Sequence, residues 1–193
     1  DNFVHLADQL DWIGNTLIVA SGGTALGITI GIALAWVIHR TTMPGRRLFE
    51  LLIAIPYPLG PLVGALAWSQ LGAPRDGLIN RVFGYLTGAD FPLINIYSPL
   101  GIIFVEAIFE APVAVLIIGA AMQRMDPALE ECSSIFGSGK LRTAWKVTLP
   151  LMLPAILSAA LFMFTSMIGS FAIPTMLGAS SRFYVATNAM YIL

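Results

Sequence analysis

Two acidic residues, Glu106 and Glu110, stand inside a long apolar stretch of the sequence and are the first candidates for chemistry. Residues four positions apart lie on one face of a helix, so the two carboxyl groups would be neighbours. Because a charged side chain is costly in lipid, this face is expected to point into a helix bundle or toward water. The pair therefore predicts a pathway for a cationic substrate. Alternatively, the carboxyl groups bond to freed backbone groups or to a neighbouring helix, or they lie at the outer interface.

A second candidate is the proline-rich segment Pro56-Tyr57-Pro58, which Gly60 and Pro61 follow. Prolines remove backbone donors and bend helices, so a straight helix is not expected here. In lipid such a break survives only where protein or a water-filled cavity satisfies the freed carbonyl groups. The segment therefore predicts the lining of a translocation route, as interrupted helices provide in many transporters. The alternative is a kink that serves only packing.

A third candidate is a short polar helix that begins at Asp126 and Pro127. Asp is a good helix N-cap and Pro suits the first helical position. Glu130 and Glu131 lie in the early turns, where the helix dipole favours negative charge. Gly137 stands where a helix ends in a left-handed residue. Such a capped helix fits a groove on a partner protein, although many loops contain a capped helix that is only a connector.

Motifs for catalysis are absent from the sequence. Gly139-Lys140 is followed by Leu141 and lacks the upstream glycine of a phosphate-binding loop, so no ATP site is expected in this chain. There is neither an H-E-x-x-H nor a G-x-S-x-G motif, and Cys132 has no nearby histidine. We therefore expect neither an enzyme nor a metal site.

The composition indicates where these candidates lie. Of the 193 residues, 57% are hydrophobic and 11% are charged, with a formal net charge of −1, and the mean hydropathy is +0.82. A soluble domain carries about 25% charged residues. We expect an all-α integral membrane protein in a lipid bilayer, with no nucleic-acid partner. Long stretches nearly free of charge predict four spans, at residues 13–38, 48–71, 99–122 and 154–177.

The basic residues predict the orientation of these spans. Loops 39–47 and 123–153 carry seven of the ten Lys and Arg residues and lie on the same side of a four-span chain. The positive-inside rule makes that side cytoplasmic, so both ends face outward. The Gly- and Pro-containing outer loop, 72–98, is expected to fold partly back on the membrane surface. Asp1 in place of Met predicts a cut or processed end, and the apolar residues 185–193 predict the start of a fifth span.

The loop 123–153 also resembles a known signature. Glu131-Cys132-Ser133, three residues, Gly137, nine residues, Val147, one residue and Leu149-Pro150 fit the pattern Glu-Ala-Ala, x3, Gly, x9, Ile, x, Leu-Pro without a gap. That pattern is typical of permease subunits of binding-protein-dependent ABC importers. Cys132 and Ser133 replace the two alanines and Val147 the isoleucine, so small and β-branched character is kept.

Motifs outside the loop are most similar to the iron(III), thiamine and polyamine group of these permeases. They are Asn15-Thr16-Leu17, Arg40-Thr41, Pro44-Gly45-Arg46, Pro56-Tyr57-Pro58, Ala67-Trp68, Phe171, Pro174 and Leu177-Gly178. The resemblance implies one truncated transmembrane domain over residues 1–193, in a bacterial or archaeal inner membrane. With the paired acids, it predicts iron(III) or another cation, such as a polyamine or thiamine, as the substrate.

The same resemblance implies partners and a mechanism. Residues of the loop would couple this chain to a cytosolic ATPase, which binds the ATP and Mg²⁺; they are Glu130, Glu131, Cys132, Ser133, Gly137, Leu149 and Pro150. A periplasmic or lipid-anchored binding protein would deliver substrate, and a second permease half, fused or separate, would complete the pore. The alternative is an ion-coupled secondary transporter that uses Glu106 and Glu110.

Overall fold

The computed structural model describes residues 2–88, 91–181 and 183–188, and they form helices joined by short turns. The long helices are α1 (Asn2–Arg40), α5 (Pro99–Arg124) and α8 (Leu149–Ile168). The shorter ones are α2 (Arg46–Ala54), α3 (Pro61–Gly72), α4 (Leu78–Thr87), α6 (Pro127–Ile135), α7 (Lys140–Thr143) and α9 (Ala172–Gly178). A π-helical turn (Ala144–Thr148) joins α7 to α8. No strand occurs in the described ranges, which confirms the all-α prediction.

Three helical segments are long and apolar enough to cross a membrane: Asp11–Arg40, Pro99–Arg124 and Lys140–Ile168. A fourth crossing is formed if Arg46–Leu59 and Pro61–Gly72, which meet at a bend of 103°, are counted as one broken span. The number of candidate spans therefore agrees with the four that the sequence predicts. The limits of those spans in a bilayer stay a prediction.

The break in the second span lies where the prolines predict it. A single 3₁₀ turn, Tyr57–Leu59, follows α2, and α3 starts at Pro61. Gly60 between them has φ 84° and ψ 152°, a backbone conformation that only glycine adopts readily. The predicted span 48–71 is therefore two helices and not one.

The helices in the region of the fourth predicted span, 154–177, have different limits. Helix α8 starts at Leu149 and ends at Ile168, and the separate helix α9 follows after a break. The break is at Gly169 and Ser170, whose N–H groups donate to the carbonyl groups of Thr165 and Met167 and close the helix end. Because this whole stretch is uncharged, charge placement could not locate the break.

Helices α1, α5 and α8 pack into the core of the bundle through small residues. A Cβ atom on Gly27 would lie 2.4 Å from the Met163 side chain and 3.2 Å from the Ala107 carbonyl oxygen, and one on Gly31 would lie 2.4 Å from the Ala114 Cβ. Glycines at this four-residue spacing let helix backbones approach closely in a membrane. A second apolar cluster, around Ile102, Val105 and Ile173, packs α5 against α3 and α9.

Side-chain amides hold the outer loop 72–98 together and join the last described segment to α1. The Asn80 Nδ2 of α4 donates to the carbonyl oxygens of Ala73 (2.9 Å) and Ile94 (2.7 Å), and its Oδ1 accepts from the Ile94 N–H (3.0 Å). Asn15 Nδ2 of α1 donates to the carbonyl oxygen of Tyr184, near the end of the described residues, at 3.0 Å. The predicted start of a fifth span begins at Val185, but residues 189–193 lie outside the described ranges.

Candidate functional site

Helix α6 has both of the ends that the sequence predicts. Asp126 caps the start, because its Oδ1 accepts from the Ala128 N–H at 2.9 Å. At the other end Gly137 has φ 77°, and the Ser138 N–H donates to the Ser133 carbonyl oxygen at 3.2 Å. This bond across a left-handed glycine is the Schellman arrangement, which ends a helix sharply. The loop therefore presents a short, rigid helix of nine residues.

The tip of this loop exposes apolar side chains. Ile135 is 81% exposed and Phe136 is 88% exposed. Both belong to loop 123–153, which carries four of the ten basic residues and is therefore predicted to lie on the cytoplasmic side. Exposed apolar residues with a polar surround are typical of a protein interface.

The two neighbouring glutamates of α6 face different ways. Glu131 is exposed, as is Cys132 next to it. Glu130 is directed at the bundle: its Oε1 accepts a hydrogen bond from Thr148 Oγ1 at 2.8 Å and lies 3.2 Å from Arg40 Nε. The acids predicted to act together at an ATPase surface therefore have different surroundings.

The remaining predicted loop residues are divided in the same way. The Ser133 hydroxyl lies 2.9 Å from that of Thr143 in α7, in a half-buried contact. Gly137 and Pro150 are exposed, and Leu149 is half-buried at the start of α8. The exposed side of the loop therefore carries Glu131, Cys132, Gly137 and Pro150.

The broken second span borders an apolar cavity of about 370 Å³ between it, α1 and α5. Pro56 and Leu59 line the cavity on one side, with Phe109 and Pro112 of α5 opposite. The Tyr57 ring stacks on Phe109 with 5.8 Å between the ring centroids. Of the three residues predicted to line a path, Pro56 contributes to the cavity wall, whereas Tyr57 and Pro58 are exposed side chains beside it.

The predicted acid pair is buried on another side of α5. Glu106 is 2% exposed and Glu110 is 6% exposed. Ser170 Oγ donates to Glu106 Oε1 at 2.6 Å, and Ser166 Oγ donates to Glu110 Oε1 at 2.7 Å. The second oxygen of Glu110, Oε2, is buried without a hydrogen-bond partner among the described residues.

The structure thus separates two groups that the sequence suggested for one pathway. Neither Glu106 nor Glu110 lines the cavity at the broken span. The contact with serines of the α8 region corresponds to the alternative in which the carboxyl groups bond to a neighbouring helix. A role for either group in translocation stays a prediction.

Several contact residues were missed by reading the sequence. Ser166 and Ser170 repeat the four-residue spacing of Glu106 and Glu110, and that matched spacing is the signal that could have found them. The sequence presents Arg40 only as a basic residue of loop 39–47, within the motif Arg40-Thr41. Its partner Glu130 is 90 positions away, and no local pattern links the two.

Comparison with known proteins gives concordant matches. The profile of a family described as "Binding-protein-dependent transport system inner membrane component" matches residues 27–192. The molybdenum transport system permease protein ModB of Escherichia coli (strain K12) is 30% identical over 158 residues, which cover 81% of this chain and 66% of ModB. The sulfate transport system permease protein CysT of Salmonella typhimurium (strain LT2) is 28% identical over 156 residues, covering 81% of this chain and 54% of CysT. The chain therefore spans about half to two thirds of the length of these curated relatives.

A solved structure shares the fold. It is a chain in the crystal structure of a bacterial alginate ABC transporter in complex with an alginate pentasaccharide-bound periplasmic protein. The TM-score is 0.68 at 21% sequence identity, and the match covers 100% of this chain and 76% of the other.

Proposed function

Because this chain belongs to the family of binding-protein-dependent transport system inner membrane components, we propose that it forms one half of the membrane path of an ATP-driven importer. The relatives are transport permeases, not enzymes, and this chain has the corresponding role of a non-catalytic membrane subunit. Its partners are cytosolic ATPase subunits, a periplasmic or lipid-anchored binding protein and a second permease half.

The observation that carries the proposal is helix α6. It is capped at Asp126, its end at Ile135 and Phe136 is exposed and apolar, and the left-handed Gly137 stops it there. An exposed apolar helix end on a rigid base suits a groove in a second protein. Glu131 and Cys132 are the exposed residues of α6 that contact the ATPase.

The mechanism that the family resemblance implies depends on the position of α6 beside the bundle. When two ATPases bind ATP with Mg²⁺ and close, the two α6 helices that they hold approach each other. The bundles attached to those helices move with them, which switches the path between outward and inward access. Substrate arrives from outside with the binding protein and leaves toward the cytoplasm.

The test uses a pair of glycines in this loop that differ in backbone conformation. A Cβ added to either Gly137 or Gly139 meets nothing within 4 Å. Gly137 has φ 77°, whereas Gly139 has φ −66° and ψ 157°, a conformation that a β-branched residue adopts easily. We expect Gly137→Val to lower ATPase co-purification and ATP-driven uptake at least tenfold, and Gly139→Val to stay within about twofold of wild type.

Two results would contradict the proposal. One is full ATPase binding and uptake by the Gly137→Val permease. The other is gradient-driven transport by the wild-type permease alone in liposomes, without an ATPase, which would favour the secondary transporter.

For the substrate we propose a cation, with iron(III) first and a polyamine or thiamine next. Support comes from the two buried carboxyl groups on α5, Glu106 and Glu110, and from the resemblance of the flanking motifs. Purification of the full-length protein from its native membranes, with mass spectrometry of the accompanying binding protein and its ligand, tests this. A bound oxyanion such as molybdate or sulfate, or a bound sugar, would overturn the cation proposal and leave the importer proposal intact.

A further inference from the structure

We propose that Arg40 and Glu130 form the link that joins α6 to the membrane bundle, so that they position the coupling helix rather than contact the ATPase. The inference rests on the proposed function, because it assigns roles within the same loop. It is an alternative to the prediction that Glu130 acts at the ATPase surface.

One carboxylate oxygen makes the connection between three parts of the chain. Glu130 Oε1 lies 3.2 Å from Arg40 Nε, in the last turn of α1, and accepts from Thr148 Oγ1 at 2.8 Å, just before α8. Thr148 is fully buried. Through this one oxygen, α6 is connected to both α1 and α8 of the bundle.

Arg40 extends the connection to the third helix of the core. Its Nη2 donates to the Met122 carbonyl oxygen at 3.5 Å, near the end of α5. The free carbonyl groups at a helix C-terminus attract cations, so Arg40 is well placed there. The ends of α1 and α5 and the start of α8 therefore all connect to α6 through these two side chains.

The ion pair between Arg40 and Glu130 is shielded from solvent enough to help hold α6 in position. The side chains of Arg40 and Glu130 are 16% and 24% exposed, unlike the fully exposed ion pairs that contribute little. Removing one partner of a shielded pair leaves a charge that is neither paired nor well hydrated. A cavity of about 220 Å³, lined by both residues and by Thr143 and Thr148, leaves room for a different side chain at either position.

A second contact keeps α6 close to α7, and it shows why the ion pair has a separate role. The Ser133 and Thr143 hydroxyl groups lie 2.9 Å apart, but Thr143 belongs to the same loop. This bond shapes the loop without joining it to α1 or α5. The ion pair, by contrast, runs from α6 to the end of α1.

The first experiment measures coupling in the complete transporter, reconstituted in proteoliposomes with its ATPase and binding protein. In Arg40→Gln and Glu130→Gln we expect uptake per ATP hydrolysed to fall about tenfold while the ATPase still co-purifies. The double variant Arg40→Gln with Glu130→Gln is expected to lose no more than either single variant, because each single change already removes the same link. Arg47→Gln is the matched control: it removes the same charge from the same side of the bundle, and the Arg47 side chain is exposed.

Three results would overturn the inference. They are a wild-type ratio in both single variants, loss of ATPase binding in Glu130→Gln, and a double variant whose loss is the product of the two single losses. Loss of binding would return Glu130 to the ATPase-contacting surface.

A second experiment works without the ATPase and separates this inference from the proposed function. Cys132 is exposed on α6. In a permease in which it is the only reactive cysteine, it can carry a spin label. In the permease alone, Arg40→Gln is expected to increase the mobility of that label and Arg47→Gln to leave it unchanged. Equal mobility in all three proteins would overturn the link, whereas failure of the wild-type permease to bind any ATPase would overturn only the proposed function.

Discussion

The role of the two buried glutamates on α5 depends on the side chains around them. Glu106 and Glu110 each accept a hydrogen bond from a serine hydroxyl. An uncompensated carboxyl group in the bundle would cost several kcal/mol. The serine contacts therefore explain how the acids are tolerated, and they leave Glu110 Oε2 for another partner.

Replacing Glu106 by glutamine separates a structural role from a role in transport. The side-chain amide in Glu106→Gln keeps the shape of the carboxyl group and still offers an oxygen to Ser170 Oγ, so the thermal unfolding temperature in detergent should stay close to that of wild type. We expect cation uptake by the assembled transporter to fall about tenfold, because the negative charge is lost. An unchanged uptake rate would show that Glu106 serves only to bond α5 to the end of α8.

The sequence predicts these acids as functional candidates but does not identify their hydrogen-bond partners. Two glutamates inside an apolar stretch are conspicuous in any sequence, whereas serines are common in membrane helices. The contact partners lie 56 and 64 positions away from the acids. Such pairs are set by how helices pack, which a single sequence does not encode in a local pattern.

At the scale of elements, the approach of α1 to α5 and α8 depends on the absence of side chains. Gly31 faces Ala114 so closely that a Cβ would lie 2.4 Å from the alanine Cβ. On the same helix, Gly14 has nothing within 4 Å of the corresponding position. The two glycines therefore form a matched pair for testing the interface.

Leucine at these two positions should have very different effects. Gly31→Leu forces α1 and α5 apart and is expected to destabilise the bundle by about 1–3 kcal/mol or to prevent folding. Gly14→Leu should change stability by less than about 0.5 kcal/mol, as a substitution with free space does. Reversible unfolding in mixed micelles, with yield in the membrane as a second measurement, checks both. Equal stability of the two variants would contradict this account of the packing.

Elements differ in how far the sequence predicts them. Both ends of α6 follow from local chemistry, because Asp126 bonds to its own first turn and Gly137 takes the left-handed conformation. The end of α8 does not, since the stretch from Lys146 to Arg182 has no charge between those two residues and its break at Gly169 is closed by backbone bonds. Local signals fix capped helices, whereas uncharged breaks depend on the surrounding bundle.

For the whole molecule, orientation in the membrane is the property that the placement of charge alone predicts. The loops with most basic residues predict that Cys132 is in the cytoplasm and that α4, with Tyr85 91% exposed, is on the outside. These two exposed positions lie on opposite sides of the predicted membrane.

Thiol labelling checks this orientation directly. In membranes that contain the permease without its ATPase, a membrane-impermeant maleimide should modify Cys132 in inside-out vesicles and not in intact spheroplasts. Tyr85→Cys, made in a Cys132→Ser background, should give the reverse result. Labelling of both positions from the same side would contradict the predicted topology. Labelling of Cys132 only from outside and of position 85 only from inside would show that the orientation is inverted.

The exposed tip at Ile135 and Phe136 also has a consequence for the synthesis of the protein. In the importer that we propose, the tip is an apolar patch facing the cytoplasm until an ATPase covers it, and such patches favour aggregation and recognition by chaperones and proteases. A permease chain without its ATPase would then be recognised and degraded, which would keep the amounts of the two subunits in proportion.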